Sequence, residues 1–164
     1  VKIHLLNSRR EKMKVELTAN EMKTAAMVGT MRHADAIAQG RTSLIPTANN
    51  WQRHIEGSLA EFAFAKAFGL FWSGLGGIGS IDIGSDIEIR TSRRPDACLI
   101  VRHRDDDNSK FVLVLGDATK EFTIVGWLFG REAKRSDRLK NPNSDRAAFF
   151  VPQSVLWPMS EIMR

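Results

Sequence analysis

Asp82, Glu88 and Arg90 stand within the ten residues Ile81-Asp82-Ile83-Gly84-Ser85-Asp86-Ile87-Glu88-Ile89-Arg90, two acids and a cation on a scaffold paced by isoleucine. Acids of this kind suit a hard divalent ion. Mg²⁺ takes oxygen ligands and is commonly held by one or two protein carboxylates, with water and substrate phosphate completing its shell. A guanidinium beside such a site matches phosphate oxygens. Whether the two acids can cooperate depends on the chain reversal between them, and strand parity decides it. Side chains alternate across a strand, so Glu88 and Arg90 share one face and Ile87 and Ile89 the other. A two-residue turn at Gly84-Ser85 would mix apolar and charged groups on both faces. A three-residue loop, Gly84-Ser85-Asp86, pairs Ile83 with Ile87 and Asp82 with Glu88, and lines four isoleucines along one face. Cross-strand neighbours have Cβ atoms about 4.5–5.5 Å apart, and two carboxylates so placed repel unless a cation lies between them. The plainer reading is a solvated hairpin face with Arg90 neutralising one acid.

A third acid comes from the helix expected between about Asn49 and Phe68. There Ile55, Leu59, Phe62 and Lys66 follow one stripe, while His54, Gly57, Glu61 and Ala65 follow another. Glu61 thus sits among small residues, where a backbone or ligand can approach. Glu56 is turned about 140° away from it and reads as solvent-facing.

The remaining elements follow from local signals. Ile3 and Leu5, then Met13, Val15 and Leu17, alternate with polar residues across Asn7-Ser8-Arg9-Arg10 and read as a first hairpin. Thr18-Ala19-Asn20-Glu21 is a capping box that opens a helix to about Gln39, with Met22, Met27 and Met31 expected in the core. Residues 41–49, with Pro46, form a linker, and Asn49 with Gln52 makes a second cap-like start. Strands are expected at Cys98–Arg102, Phe111–Leu115, Phe122–Phe129 and Ala147–Val151, with a short helix near Arg131–Arg135 and a closing segment that carries Trp157. Asp105-Asp106-Asp107-Asn108 reads as a polar turn, since it lacks the glycine and distant glutamate of a calcium loop. Gly74-Leu75-Gly76-Gly77-Ile78-Gly79 fits the dinucleotide fingerprint but follows a helix and precedes a strand, the reverse of what that fingerprint needs, so it reads as a connector.

Composition bounds the rest. The chain has 164 residues, 43% hydrophobic and 26% charged, which fits one globular domain. Its single cysteine, Cys98, excludes an internal disulfide and is expected as a buried thiol. No signal-peptide pattern or run of ~20 apolar residues is seen, which points to a reducing, cytoplasmic setting without a membrane. The net charge is +5. Cations gather at Arg90, Arg93 and Arg94, at Arg102 and Arg104, and again between Arg131 and Lys140, a distribution that permits a polyanion partner and equally suits a solubilising surface.

Gly57-x-x-x-Glu61 on a helix, then Asp82, then Glu88-Ile89-Arg90 on consecutive strands, resembles the PD-(D/E)xK nuclease superfamily, closest to small single-domain members carried by bacteria and their phages. The resemblance covers roughly residues 50–130. It implies a restriction-endonuclease-like α/β (α+β) fold, a central mixed β-sheet flanked by helices, here preceded by the N-terminal hairpin and helix. It also implies metal-dependent hydrolysis of phosphodiester bonds in DNA, or RNA, in the cytoplasm, that of a host where the chain is phage-encoded. By that resemblance Glu61, Asp82 and Glu88 correspond to the metal-binding acids for Mg²⁺ or Mn²⁺, the carbonyl of Ile89 is a further ligand, and Arg90 takes the place of the motif's lysine. Arg93, Arg94, Arg102 and Arg104 would follow the nucleic-acid backbone. Ile81 replaces the motif's proline and the Asp82–Glu88 spacing is short. Arginine, unlike lysine, stays protonated and can only hold charge. That substitution motivates a rival reading, a nucleic-acid-binding module that kept the fold and lost the chemistry. A third is an interaction protein whose Trp127, Trp157, Phe149 and Phe150 form a partner face, although core packing is the commoner use of such residues. The residues leave dimerisation open, and no aromatic platform for single strands is legible.

Overall fold

The computed structural model describes residues 11–41, 49–75, 81–116 and 119–163. Within these bounds the chain is a mixed α+β protein of three layers: a helix pair, a four-stranded mixed sheet, and a three-stranded antiparallel sheet. The helices are α1 (Ala19–Ala38) and α2 (Asn50–Phe68). The first sheet has the order β1 (Met13–Glu16), β5 (Glu121–Phe129), β4 (Lys110–Leu115), β2 (Ile87–Ser92), antiparallel except for the parallel pair of β4 with β2. The second has the order β3 (Leu99–Arg102), β7 (Ala148–Val151), β6 (Leu139–Lys140). A single helical turn, α3 (Gly130–Ala133), follows β5.

Alternation along β4 builds the layers. Val112 and Val114 join the core beneath the helices with Ala60, Phe64 and Ile89. Phe111 and Leu113 point the other way and meet Leu99, Val101 and Val151 of the second sheet. A strand buried on both faces reads as an unbroken apolar run, which is what Phe111–Leu115 shows. The register of β2 on β4 sets Ile89 beside Val112 and Glu88 beside Phe111. Ile87 and Ile89 therefore face the helices, and Glu88 and Arg90 face the second sheet.

The capping box forms as expected. The Thr18 hydroxyl accepts from the Glu21 amide and the Glu21 carboxylate accepts from the Thr18 amide. Gly29 lets the helices touch: a Cβ there would lie 2.6 Å from the His54 carbonyl oxygen and 2.6 Å from the Ile55 Cα. Four local expectations need correction. Asn49 makes no side-chain cap at α2. Met27 and Met31 are 65% and 63% exposed on the outer side of α1, so only Met22 packs on the core. Glu56 is not solvated, because Arg93 pairs with it. Cys98 is half-buried and free rather than a core thiol. Ile3, Leu5 and the Asn7–Arg10 turn lie outside the described residues, as do residues 42–48 of the linker and residues 76–80 of the glycine-rich loop. Trp127 and Phe149 are buried, whereas Trp157 is exposed and bridges to Trp127.

Candidate functional site

The chain reversal after Ile83 is the three-residue one. Ile83 and Ile87 form an isolated antiparallel bridge, and Gly84 takes a left-handed φ of 63° that a side chain would strain. Ile83, Ile87 and Ile89 enter the core together. The expected pairing of Asp82 with Glu88 as ladder partners does not extend from that bridge. The Asp82 carboxylate instead accepts a hydrogen bond from the Ile89 amide at 2.7 Å. Among the described residues β2 is the edge of its sheet, so its outward amides need an acceptor, and a carboxylate supplies one without facing a second carboxylate across a ladder.

Asp82 and Glu88 nevertheless open into one cleft of about 580 Å³, at the edge of β2 and beside the second sheet. Arg90 lines it as well. Its guanidinium donates to Glu88 at 2.9 Å and to Asp105 at 3.0 Å, and stands 4.9 Å above the Phe111 ring. Asp105 is the acid that sequence reading passed over as part of a turn. Lys134 ties that turn down by donating to the carbonyls of His103 and Asp105 and to the Asp107 carboxylate. Asp105 is left facing inward, where its carboxylate also accepts from the Arg102 amide at 2.8 Å.

Glu61 is buried on the helix side, and its carboxylate oxygens are both engaged. Arg32 of α1 grips them at 2.7 and 2.8 Å, and the Trp72 indole donates to one at 2.9 Å. The same guanidinium donates to the carbonyls of Gly74 and Leu75, so the start of the glycine-rich connector is fastened to this pair. Direct ligation by Glu61 would require Arg32 to let go. Neither Arg32 nor Trp72 carries a local signal, being 29 and 11 residues away in sequence.

Electrostatics divide the cleft. Burial, with the Glu61 charge next and a lesser push from Glu88, drives the Asp82 carboxyl up to about 7, against relief from the Ile89 amide and Arg90. Burial also raises Glu88, although Arg90 opposes it. This end is short of positive charge. The other end has the reverse defect. Six arginine and lysine side chains line the cleft against four carboxylates. Arg94 is paired with Asp96 and Arg90 with Glu88 and Asp105, but among the described residues no carboxylate pairs with Arg53, Arg102, Arg104 or Lys140. Burial and the neighbouring cations Arg104, Arg90 and Arg53 push Arg102 below its usual range, against the pull of Asp105.

Of the expected backbone-tracking residues, Arg94, Arg102 and Arg104 line this cleft. Arg93 does not: it turns back to Glu56 and borders a separate groove beside β1. From the later basic stretch Lys140 reaches the cleft, while Arg131 stacks on Phe129 and Arg135 pairs with Asp137.

The donor set fits a cation in part. Asp82 and Glu88 each have one oxygen that accepts nothing among the described residues, and both carboxyls are raised. Two carboxylates with water and phosphate make an adequate Mg²⁺ shell. No cluster of three His, Cys, Asp or Glu spaced to hold a metal occurs among the described residues, so the three-acid set is not preassembled. The Ile89 carbonyl lies 3.5 Å from the Arg90 guanidinium.

No protein-family model matches this chain, and neither does any curated protein or solved structure at a significant level. No helix among the described residues is long and apolar enough to cross a membrane.

Proposed function

We propose that the protein is a metal-dependent nuclease of the PD-(D/E)xK type that hydrolyses phosphodiester bonds of DNA in the cytoplasm, with Asp82 and Glu88 holding Mg²⁺ or Mn²⁺. One observation carries this reading: a single cleft joins an acidic pair short of positive charge, with Asp82 in no ion pair among the described residues and Glu88 sharing Arg90 with Asp105, to a set of cations that no carboxylate pairs. A phosphodiester with its divalent ion supplies both. The ion, when bound, acidifies a water and offsets charge building on the scissile phosphate. Arg90 holds the Glu88 carboxylate in place and stays charged, so it takes no proton from the nucleophile. Arg102 and Arg104 hold the phosphate on the far side, where a guanidinium can make paired hydrogen bonds to its oxygens. Glu61 acts on Asp82 through charge, favouring cation capture there.

Cleavage of labelled DNA in Mg²⁺ or Mn²⁺ tests this. Asp82→Ala and Glu88→Ala should each abolish cleavage while circular dichroism stays native. Cleavage that survives both changes refutes the assignment. The rival reading, a binding module without chemistry, draws support from Arg90 being gripped by two acids and Glu61 by Arg32. It expects no divalent-ion binding by calorimetry, nucleic-acid affinity that falls steeply with salt, and little loss on removing Glu88.

A further inference from the structure

The second sheet has one face in the core and one face in the cleft. Leu99, Val101 and Val151 fill the core side. On the opposite side Ile100 of β3 is directly across from Phe150 of β7, forming an apolar row. In the next row Ala148 is central, with Arg102 across from it on one flank and Lys140 on the other. Residues directly opposite in a ladder share a face, so this is a floor of one aromatic and one aliphatic side chain bordered by two cations. Ile100 is 37% exposed and Phe150 half-buried, and both open into the cleft that holds Asp82 and Glu88.

We propose that this face is a platform for single-stranded DNA, on which a base stacks against Phe150 and Ile100 while Arg102, Arg104 and Lys140 hold the flanking phosphates. In a duplex the base faces are already stacked on one another, so only an unpaired strand can offer one to Phe150. A positive groove with an aromatic floor is the general solution for binding single strands without reading sequence. Lys140 Nζ stands 4.8 Å over the Phe150 ring. A contact of that kind at an exposed site is weaker than base stacking, so an arriving base displaces the ammonium toward its own phosphate. The platform leads to the carboxylates because Arg102 belongs to both: its side chain is on the platform and its amide is bound to Asp105, the acid that holds Arg90. This deepens the nuclease reading and rests on it for the strand's path to Asp82, so its test measures binding in chelator, apart from cleavage.

Fluorescence anisotropy of a labelled 12-mer oligothymidine, and of the matching duplex with its complement, is followed in EDTA at low salt. The single strand should bind at least ~10-fold tighter than the duplex, the scale that stacking one base supplies. Phe150→Leu should weaken single-strand binding by about 10-fold with an unchanged melting temperature, and Phe150→Trp should restore it with quenching of the new indole. Ile100→Glu, at a position already exposed, should abolish binding and covers the case in which losing the ring unsettles the fold. Equal affinity for duplex and single strand, or binding indifferent to both Phe150→Leu and Ile100→Glu, overturns the platform. Tight single-strand binding with no cleavage in Mg²⁺ or Mn²⁺ overturns the nuclease reading and leaves the platform standing.

Discussion

Replacing Asp82 by Asn should stabilise the metal-free protein at pH 8 and leave it nearly unchanged at pH 4. Burial and the Glu61 charge raise the Asp82 carboxyl from an ordinary 3.8 to about 7. The folded protein therefore keeps a proton that the unfolded chain has already lost across that interval. Stability from this group is fully present below about pH 4, declines as pH rises through the window, and is gone above about 7. Three units at about 1.36 kcal/mol each set an upper limit near 4 kcal/mol. The amide oxygen is a weaker acceptor for the Ile89 N–H than a carboxylate is, which offsets part of this gain, so about 2 kcal/mol is expected. For a chain of this size that corresponds to roughly 4–8 °C in Tm. Asparagine removes the charge but keeps an oxygen that can accept from the Ile89 amide.

Thermal unfolding in EDTA between pH 4 and 8 reads this directly. The difference between variant and wild type should widen with pH. Saturating Mn²⁺ should then invert the order at pH 8, because an ion at a hundred times its Kd adds about 2.7 kcal/mol to wild type and nothing to a variant that cannot hold it. A constant difference across the pH range would show that the Asp82 carboxyl is not raised by burial and Glu61. A variant that gains as much from Mn²⁺ as wild type would place the ion elsewhere.

Arg32→Ala strands the buried Glu61 carboxylate and should cost about 3 kcal/mol, read as a Tm loss of roughly 6–12 °C, with much of it recovered in Arg32→Met combined with Glu61→Leu. Gly29→Ala drives a methyl into the α2 backbone and should cost about 1–3 kcal/mol, measured as a lower urea midpoint with unchanged slope. Cys98, the chain's one thiol, lines the cleft, so bound oligothymidine should slow its alkylation by maleimide at least severalfold; labelling at an unaltered rate would put the strand elsewhere.

What the sequence made legible here was local. Thr18 and Glu21 lie three residues apart and announce the start of α1 because both partners of the capping box are in one turn. The turn at Gly84 could be chosen by parity, since the three-residue loop sets Ile83 opposite Ile87 and sends both, with Ile89, into the core. Central strands declared themselves by unbroken apolar runs. What stayed hidden depends on side chains that meet only after folding. Arg32 reaches Glu61 across 29 residues, and Asp105 reaches Arg90 across 15, with nothing in either neighbourhood to mark them. Arg93 and Arg94 illustrate the limit in two adjacent residues: the same charge at consecutive positions is sent to opposite sides, one to Glu56 and one to the cleft.

Phe149 and Phe150 make the same point with a functional edge. Alternation along β7 sends Phe149 inward and leaves Phe150 facing the cleft, so a pair that reads as core filling is divided between packing and binding. The separation also explains why the cleft keeps two kinds of unsatisfied charge without collapsing. Arg90 is gripped by Glu88 and Asp105, the Asp82 carboxylate is bound to the Ile89 amide of β2, and Arg102 is carried by β3, so the registers of β2 on β4 and β3 on β7 hold acid and cation on separate sheets, and no ion pair joins the two among the described residues. If Asp82 could reach Arg102, burial would not hold its carboxyl near 7, and neither a cation nor a phosphate would have anything to gain by entering. The proposed affinity for metal and strand together is thus a consequence of the two sheets holding opposite charges apart.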